Sequence, residues 1–154
     1  MLLEEVLELE EEKEVEEMPS FNHSYICTEI LKQLLIKTEF SPMVELTLDI
    51  AKGITPDISV YPKSQVQPNF LRDIPRYQEM PILAVEVISA SQNIQDLLEK
   101  AQMLVNNGVK AVWTVEPFGY TVFVTTKDGE KRFHNEVVES EGIQVDFRQI
   151  FNVN

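Results

Sequence analysis

Apolar residues recur along the chain with two different periods, and together they predict an alternation of helices and strands. From about His23 to Lys37, Ile26, Cys27, Ile30, Leu31, Leu34 and Leu35 repeat at helical spacing and form one stripe, with Ser20 or Asn22 available as cap. Glu29 projects away from that stripe and reads as solvated, while His23 reads as a residue that caps or lines the helix. Pro42 lies beyond the helix end. Val44 to Asp49 then alternates as a strand, with Leu46 and Leu48 on one face. Gly53 marks a turn into a second strand, Pro56 to Tyr61, which begins with an acid, Asp57. From Pro62 to Pro81 the chain carries four prolines and no period, a length expected of a functional or mobile segment. Lys63, Arg72 and Arg76 are its positive charges.

Ile82 to Ile88 is almost continuously apolar, the pattern of a central strand covered on both faces, and only Glu86 interrupts it. Past Ser89, Ala90 and Ser91, the residues Ile94, Leu97, Leu98, Ala101, Leu104 and Val105 predict a helix to about Asn106, with Gly108 as its stop. Ala111 to Glu116 is the next strand, and Trp113, between Val112 and Val115, reads as core. Pro117, Phe118 and Gly119 turn the chain into Tyr120 to Thr125, Asp128-Gly129 turns it into a strand around Lys131 to Phe133, and Gly142 to Phe151 closes the fold. This order predicts an α+β architecture, a mixed sheet flanked by helices, in a single domain over residues 1–154. Residues 1–17 are set apart by their glutamates. Alternation through Glu5 to Leu9 and again through Glu14 to Glu16 favours an acidic hairpin over a disordered tail, ahead of a core at 18–154.

Composition narrows the chemistry. With 154 residues and 44% apolar content, one sizeable core is expected. No apolar run approaches the roughly 18 residues of a membrane span, and the glutamate-rich start is unlike a basic targeting peptide, which predicts a cytoplasmic protein with no membrane contact. Cys27 is the sole cysteine, so no intramolecular disulfide forms. Counted by type, Cys27, His23 and His134 are too few for a thiolate and imidazole zinc cluster, and any metal is expected on oxygen. The net charge is −13, of which residues 1–17, with nine Glu and one Lys, carry −8. No basic stripe is present to hold duplex DNA unaided.

Glu86 poses the chemical question. An ionised carboxylate inside an apolar strand must be neutralised, paired or bound to a cation, because uncompensated burial costs several kcal/mol. The residues alone leave all three open. Asp57 begins a neighbouring candidate strand, and two carboxylates converging at a sheet edge suit Mg²⁺. Lys100 lies on the margin of its helix's stripe, one turn after Asp96, where it could reach back to the sheet. Each residue has a plainer reading. Pro-Asp is common in turns, Glu86 could pair structurally with Lys100 or Lys110, and Asp96 with Lys100 could make a surface pair of about 0.3–0.5 kcal/mol.

The runs Thr55-Pro56-Asp57-Ile58-Ser59-Val60 and Pro81 to Ser89, then Asp96, Glu99-Lys100, Gly108 and Val112-Trp113, resemble the Uma-two family. That family is identified with endonucleases of the PD-(D/E)xK superfamily and the restriction-endonuclease-like fold, and the resemblance runs from roughly Glu8 to Phe151. It implies that Asp57 is the acid of the PD element and Glu86 the acid of the second half-motif, both ligating Mg²⁺, for which Mn²⁺ can substitute, together with the carbonyl of Val87. The strict lysine position holds Ile88. Lys100 matches the family's lysine carried on the helix, and Glu8 is similar to the acid of its first strand. Glu11, Glu12 and Ala90 depart from the family's hairpin turn and from its usual proline after the strand serine. The activity implied is Mg²⁺-dependent hydrolysis of phosphodiester bonds in DNA, and the resemblance and small size suggest a homodimer. The alternative is an inactive nuclease fold used as a binding module, which the acidic surface and Ile88 favour.

Overall fold

A computed structural model describes residues 19–152, and the candidate hairpin at 1–17, with Glu8, Glu11 and Glu12, lies outside the described residues. The first helix, α1, spans Phe21–Leu34 because Ser20 is its cap, its side chain accepting from His23 N–H at 3.2 Å. The helix therefore starts before the predicted His23. Ile26, Ile30 and Leu34 are its buried stripe, while Leu35, just past the end, is exposed. Glu29 is half-buried and paired with Lys32 at 3.1 Å rather than simply solvated.

Strand β1 spans Phe40–Val44, not the expected Val44 to Asp49. Two facts hid it. Pro42 sits inside it, which is tolerated because among the described residues β1 is an edge strand, and Glu45 at φ 52 breaks the extended backbone where the alternation was read. Leu48 is instead buried in a turn region, bridging to Ile54 and Tyr77. Strands β2 (Ile58–Pro62), β3 (Leu83–Val87), β4 (Ala111–Glu116), β5 (Thr121–Thr126) and β6 (Gly129–His134) agree closely with the expected segments. So does α2, Ile94–Asn106, capped by Asn93 and stopped where Gly108 turns at φ +109.

The six strands form one mixed sheet in the order β1-β2-β3-β4-β5-β6, in which only β3 and β4 run parallel. A parallel pair needs a crossover, and α2 supplies it. On one face Leu83, Val85, Val87 and Trp113 pack with Ile26 and Ile30 of α1. On the other, Ala84 and Val112 meet Ala101 and Leu104 of α2, with Leu48 and Val109. Side chains alternate along a strand, so Glu86 falls on the α2 face with Ala84.

A second sheet, β7 (Val137–Ser140) with β8 (Ile143–Asp146), precedes the short helix α3, Arg148–Phe151. The two-residue turn Glu141-Gly142, with both φ positive, closes that hairpin, and its Glu-Gly sequence lacks the usual Asn or Asp signal that would have revealed β7. Trp113 is fully buried, donates to Ser140 Oγ at 2.9 Å and packs edge-on against Phe147, as its core reading expects. Between β2 and β3 the long loop is tied down by Tyr77, which sits edge-on to Tyr61 with ring centres 5.5 Å apart, while Phe70 and Leu71 stand exposed. No helix among the described residues is long and apolar enough to cross a membrane.

Candidate active site

The site forms where β2 begins and β3 ends. In the antiparallel β2–β3 register Ile58 faces Val85, so one step further along the ladder Asp57 stands across from Glu86. Directly opposed residues have Cβ atoms about 4.5–5.5 Å apart, which brings the two carboxyl groups to one end of the sheet. Asp57 Oδ2 accepts the Val87 backbone N–H at 2.7 Å and contacts His23 Nε2 at 3.0 Å. Both contacts fall on the same oxygen.

Glu86 is 5% exposed. Lys100, reaching back from α2, sets its Nζ 2.7 Å from Oε1. That distance is a charge-assisted contact between the lysine ammonium and the buried carboxylate. Burial outweighs the lysine, and with Asp57 nearby it pushes the Glu86 carboxyl up to about 7. Lys100 thus meets Glu86, whereas Asp96 and Lys110 are exposed and take no part. Ile88, two residues past Glu86 and just beyond the end of β3, is buried. The lysine from α2 brings the cation that Ile88 does not supply.

His23 is the residue that sequence reasoning undervalued. The cap at Ser20 starts α1 so that His23 points at the sheet end, and the hydrogen bond to Asp57 raises its pKa above the ordinary value, against the opposing effect of burial. Cys27, one turn later, lies with Sγ 3.9 Å from His23 Nδ1. His23, Cys27 and Asp57 offer ligand atoms all within 4.8 Å of one another. The expectation that no thiolate and imidazole site could assemble came from counting by type, which takes no account of a carboxylate brought in from another element. The His-x-x-x-Cys spacing on a helix was the available signal. The contact with Asp57, 34 residues away, had none.

A mixed sheet with helices on both faces and two acids and a lysine gathered at one end of its central strands is the arrangement of a nuclease-like α+β fold. The chain belongs to the Uma2 family, described as "Putative restriction endonuclease", whose family model matches residues 4–153. Family membership supports a nuclease function. The fold is shared with a "putative nuclease belonging to DUF820" from Anabaena variabilis, with TM-score 0.74 and 20% identity over 88% of this chain and 83% of that one. A DrdV–DNA complex is a remoter likeness, with TM-score 0.42 and 9% identity over 70% of this chain and 12% of the other. No curated protein matches the chain.

Proposed function

We propose that the protein is a Mg²⁺-dependent nuclease that hydrolyses phosphodiester bonds in DNA. The observation that carries this reading is the meeting of Asp57 and Glu86 across the β2–β3 ladder with Lys100 at 2.7 Å from Glu86. The donors present fit a hard cation: Asp57 uses Oδ2 for both its contacts with His23 and Val87 N–H, Glu86 is a buried carboxylate on the adjacent strand, and Val87 follows it in β3. Asp57, Glu86 and the Val87 carbonyl would hold Mg²⁺, or Mn²⁺ in its place. Held there, such an ion would supply Lewis acidity toward the phosphate and toward a bound water.

The chain's own groups do the rest. Lys100 holds a positive charge on a flexible stem beside the acids, where it offsets charge gathering on the phosphate. Val87 N–H and His23 fix the Asp57 carboxylate through Oδ2, which makes His23 a positioning residue. Glu86 must give up its proton to hold a cation, so binding strengthens as pH rises through about 7. Two copies, as a homodimer, would present two such sites to the two strands of a duplex.

The competing reading is a nuclease fold kept for binding alone, which Ile88 at the strict lysine position favours. Cleavage of plasmid and single-stranded DNA by the full chain, with Mg²⁺ or Mn²⁺ against EDTA, separates the two. We expect metal-dependent cutting that falls at least about 100-fold in Asp57→Asn and in Glu86→Gln, the scale of losing a group that acts in the transition state. Wild-type protein that binds DNA without cutting it, or variants that cut as well as wild type, would reject the nuclease reading.

A further inference from the structure

His23, Cys27 and Asp57 form a second cluster of potential ligands, chemically unlike the oxygen set described above. His23 and Cys27 are four residues apart on α1, so both side chains lie on one helix face, one turn from each other. Sγ is 3.9 Å from Nδ1 and 4.0 Å from Nε2, too far for a strong hydrogen bond and close to what a shared ion requires. Ligands held at about 2.0 Å (nitrogen) and 2.3 Å (sulfur) on a tetrahedral ion stand roughly 3.5 Å from each other. Asp57 Oδ2, at 3.0 Å from Nε2, supplies the third atom from a different element. The cluster borders a surface cavity of about 210 Å³, whose wall includes His23, Cys27, Glu45 and Asp57. Its side chains are shielded yet reachable, His23 being 12% and Asp57 19% exposed.

We propose that His23, Cys27 and Asp57 bind a zinc-class transition-metal ion, with the fourth coordination position open to the cavity and to water. One thiolate, one imidazole and one carboxylate select Zn²⁺ or Co²⁺ over Mg²⁺, which prefers oxygen throughout. Coordination takes the thiol proton off Cys27 and releases it to solvent, so binding tightens with pH. Burial, which pushes the thiol up to about 12 in the metal-free protein, extends that dependence to higher pH and lowers affinity at neutral pH. The site shares Asp57 with the nuclease proposal but needs neither Glu86 nor Lys100, so Glu86→Gln tells the two apart.

Titration of the full chain with Co²⁺ is the direct test, because Cys27 is the only thiol in the sequence. A sulfur-to-cobalt charge-transfer band in the near ultraviolet, saturating at one ion per chain, is expected, together with the visible bands of tetrahedral Co²⁺. The band should vanish in Cys27→Ser, and affinity should fall at least about tenfold in His23→Ala, the smaller end of the loss expected when a metal site's support is removed. Glu86→Gln should keep the band, and saturating Mg²⁺ should leave it in place, whereas Zn²⁺ should bleach it. The exposed acids of the chain can bind Co²⁺ but cannot produce a sulfur band. Absence of the band in folded wild-type protein, unchanged affinity in His23→Ala, or displacement by Mg²⁺ would overturn the proposal. None of these outcomes depends on whether the protein cuts DNA.

Discussion

Replacing Glu86 by Gln removes a titrating group from the buried end of β3 while keeping its size. In the folded protein burial outweighs Lys100 and holds the carboxyl near 7, against 4.5 in the unfolded chain. A raised acid costs stability as pH climbs: below pH 4.5 both states are protonated and nothing is lost, and between 4.5 and about 7 the unfolded chain ionises while the folded one does not. Above that window the loss is complete. Each pH unit is worth about 1.4 kcal/mol, so the wild type should lose roughly 3 kcal/mol that Glu86→Gln does not lose. Urea denaturation followed by circular dichroism, in EDTA and in steps across this window, measures both curves. His23 bends each of them in the same sense, since its raised pKa gives stability present below 6.5 and lost as pH rises through the folded value. The difference between the curves reports Glu86 together with the smaller part of the His23 shift that Glu86 causes. Curves that stay parallel would show that Glu86 ionises at its ordinary value and that Lys100, not burial, governs it.

Two further substitutions probe neighbouring parts of the argument. Lys100→Met keeps the stem and removes the cation at 2.7 Å, so stability should fall by about 1–3 kcal/mol above pH 7 and hardly at all below pH 4.5, where Glu86 is neutral; equal losses at both ends would refute the pairing. Trp113→Phe deletes the indole hydrogen bond to Ser140 and leaves a small void, a loss of about 1–3 kcal/mol. Thermal unfolding must be followed by circular dichroism, because Trp113 is the only tryptophan, and an unchanged Tm would place the ring outside the core.

Much of the sheet was legible in the chain because its elements carry local signals. The apolar run at 82–88 marked β3, helical spacing marked α2, and Asp128-Gly129 marked the β5–β6 turn. Glu86 announced itself as an acid in an apolar strand, and Asp57 and Lys100 were nominated with it, the family resemblance giving them their roles. The errors share a cause. Strand β1 was missed because a proline is forbidden only in paired interior positions, and an edge position is defined by neighbours, not by sequence. Strand β7 was missed because Glu141 adopts a left-handed backbone for which glutamate carries no local preference.

The sequence by itself determined which residues were candidates: periodicity and turn chemistry are properties of neighbouring residues, and they named the elements that carry Asp57, Glu86, Lys100 and Cys27. Only the tertiary structure decided which of them meet. The antiparallel register set Asp57 across from Glu86, the crossover brought Lys100 to Glu86 instead of Asp96 or Lys110, and the packing of α1 turned His23 from a helix-lining residue into a partner of Asp57. Those contacts join residues 14 to 34 positions apart. They exist because buried faces must be covered and buried charges compensated, and both conditions belong to the assembled core.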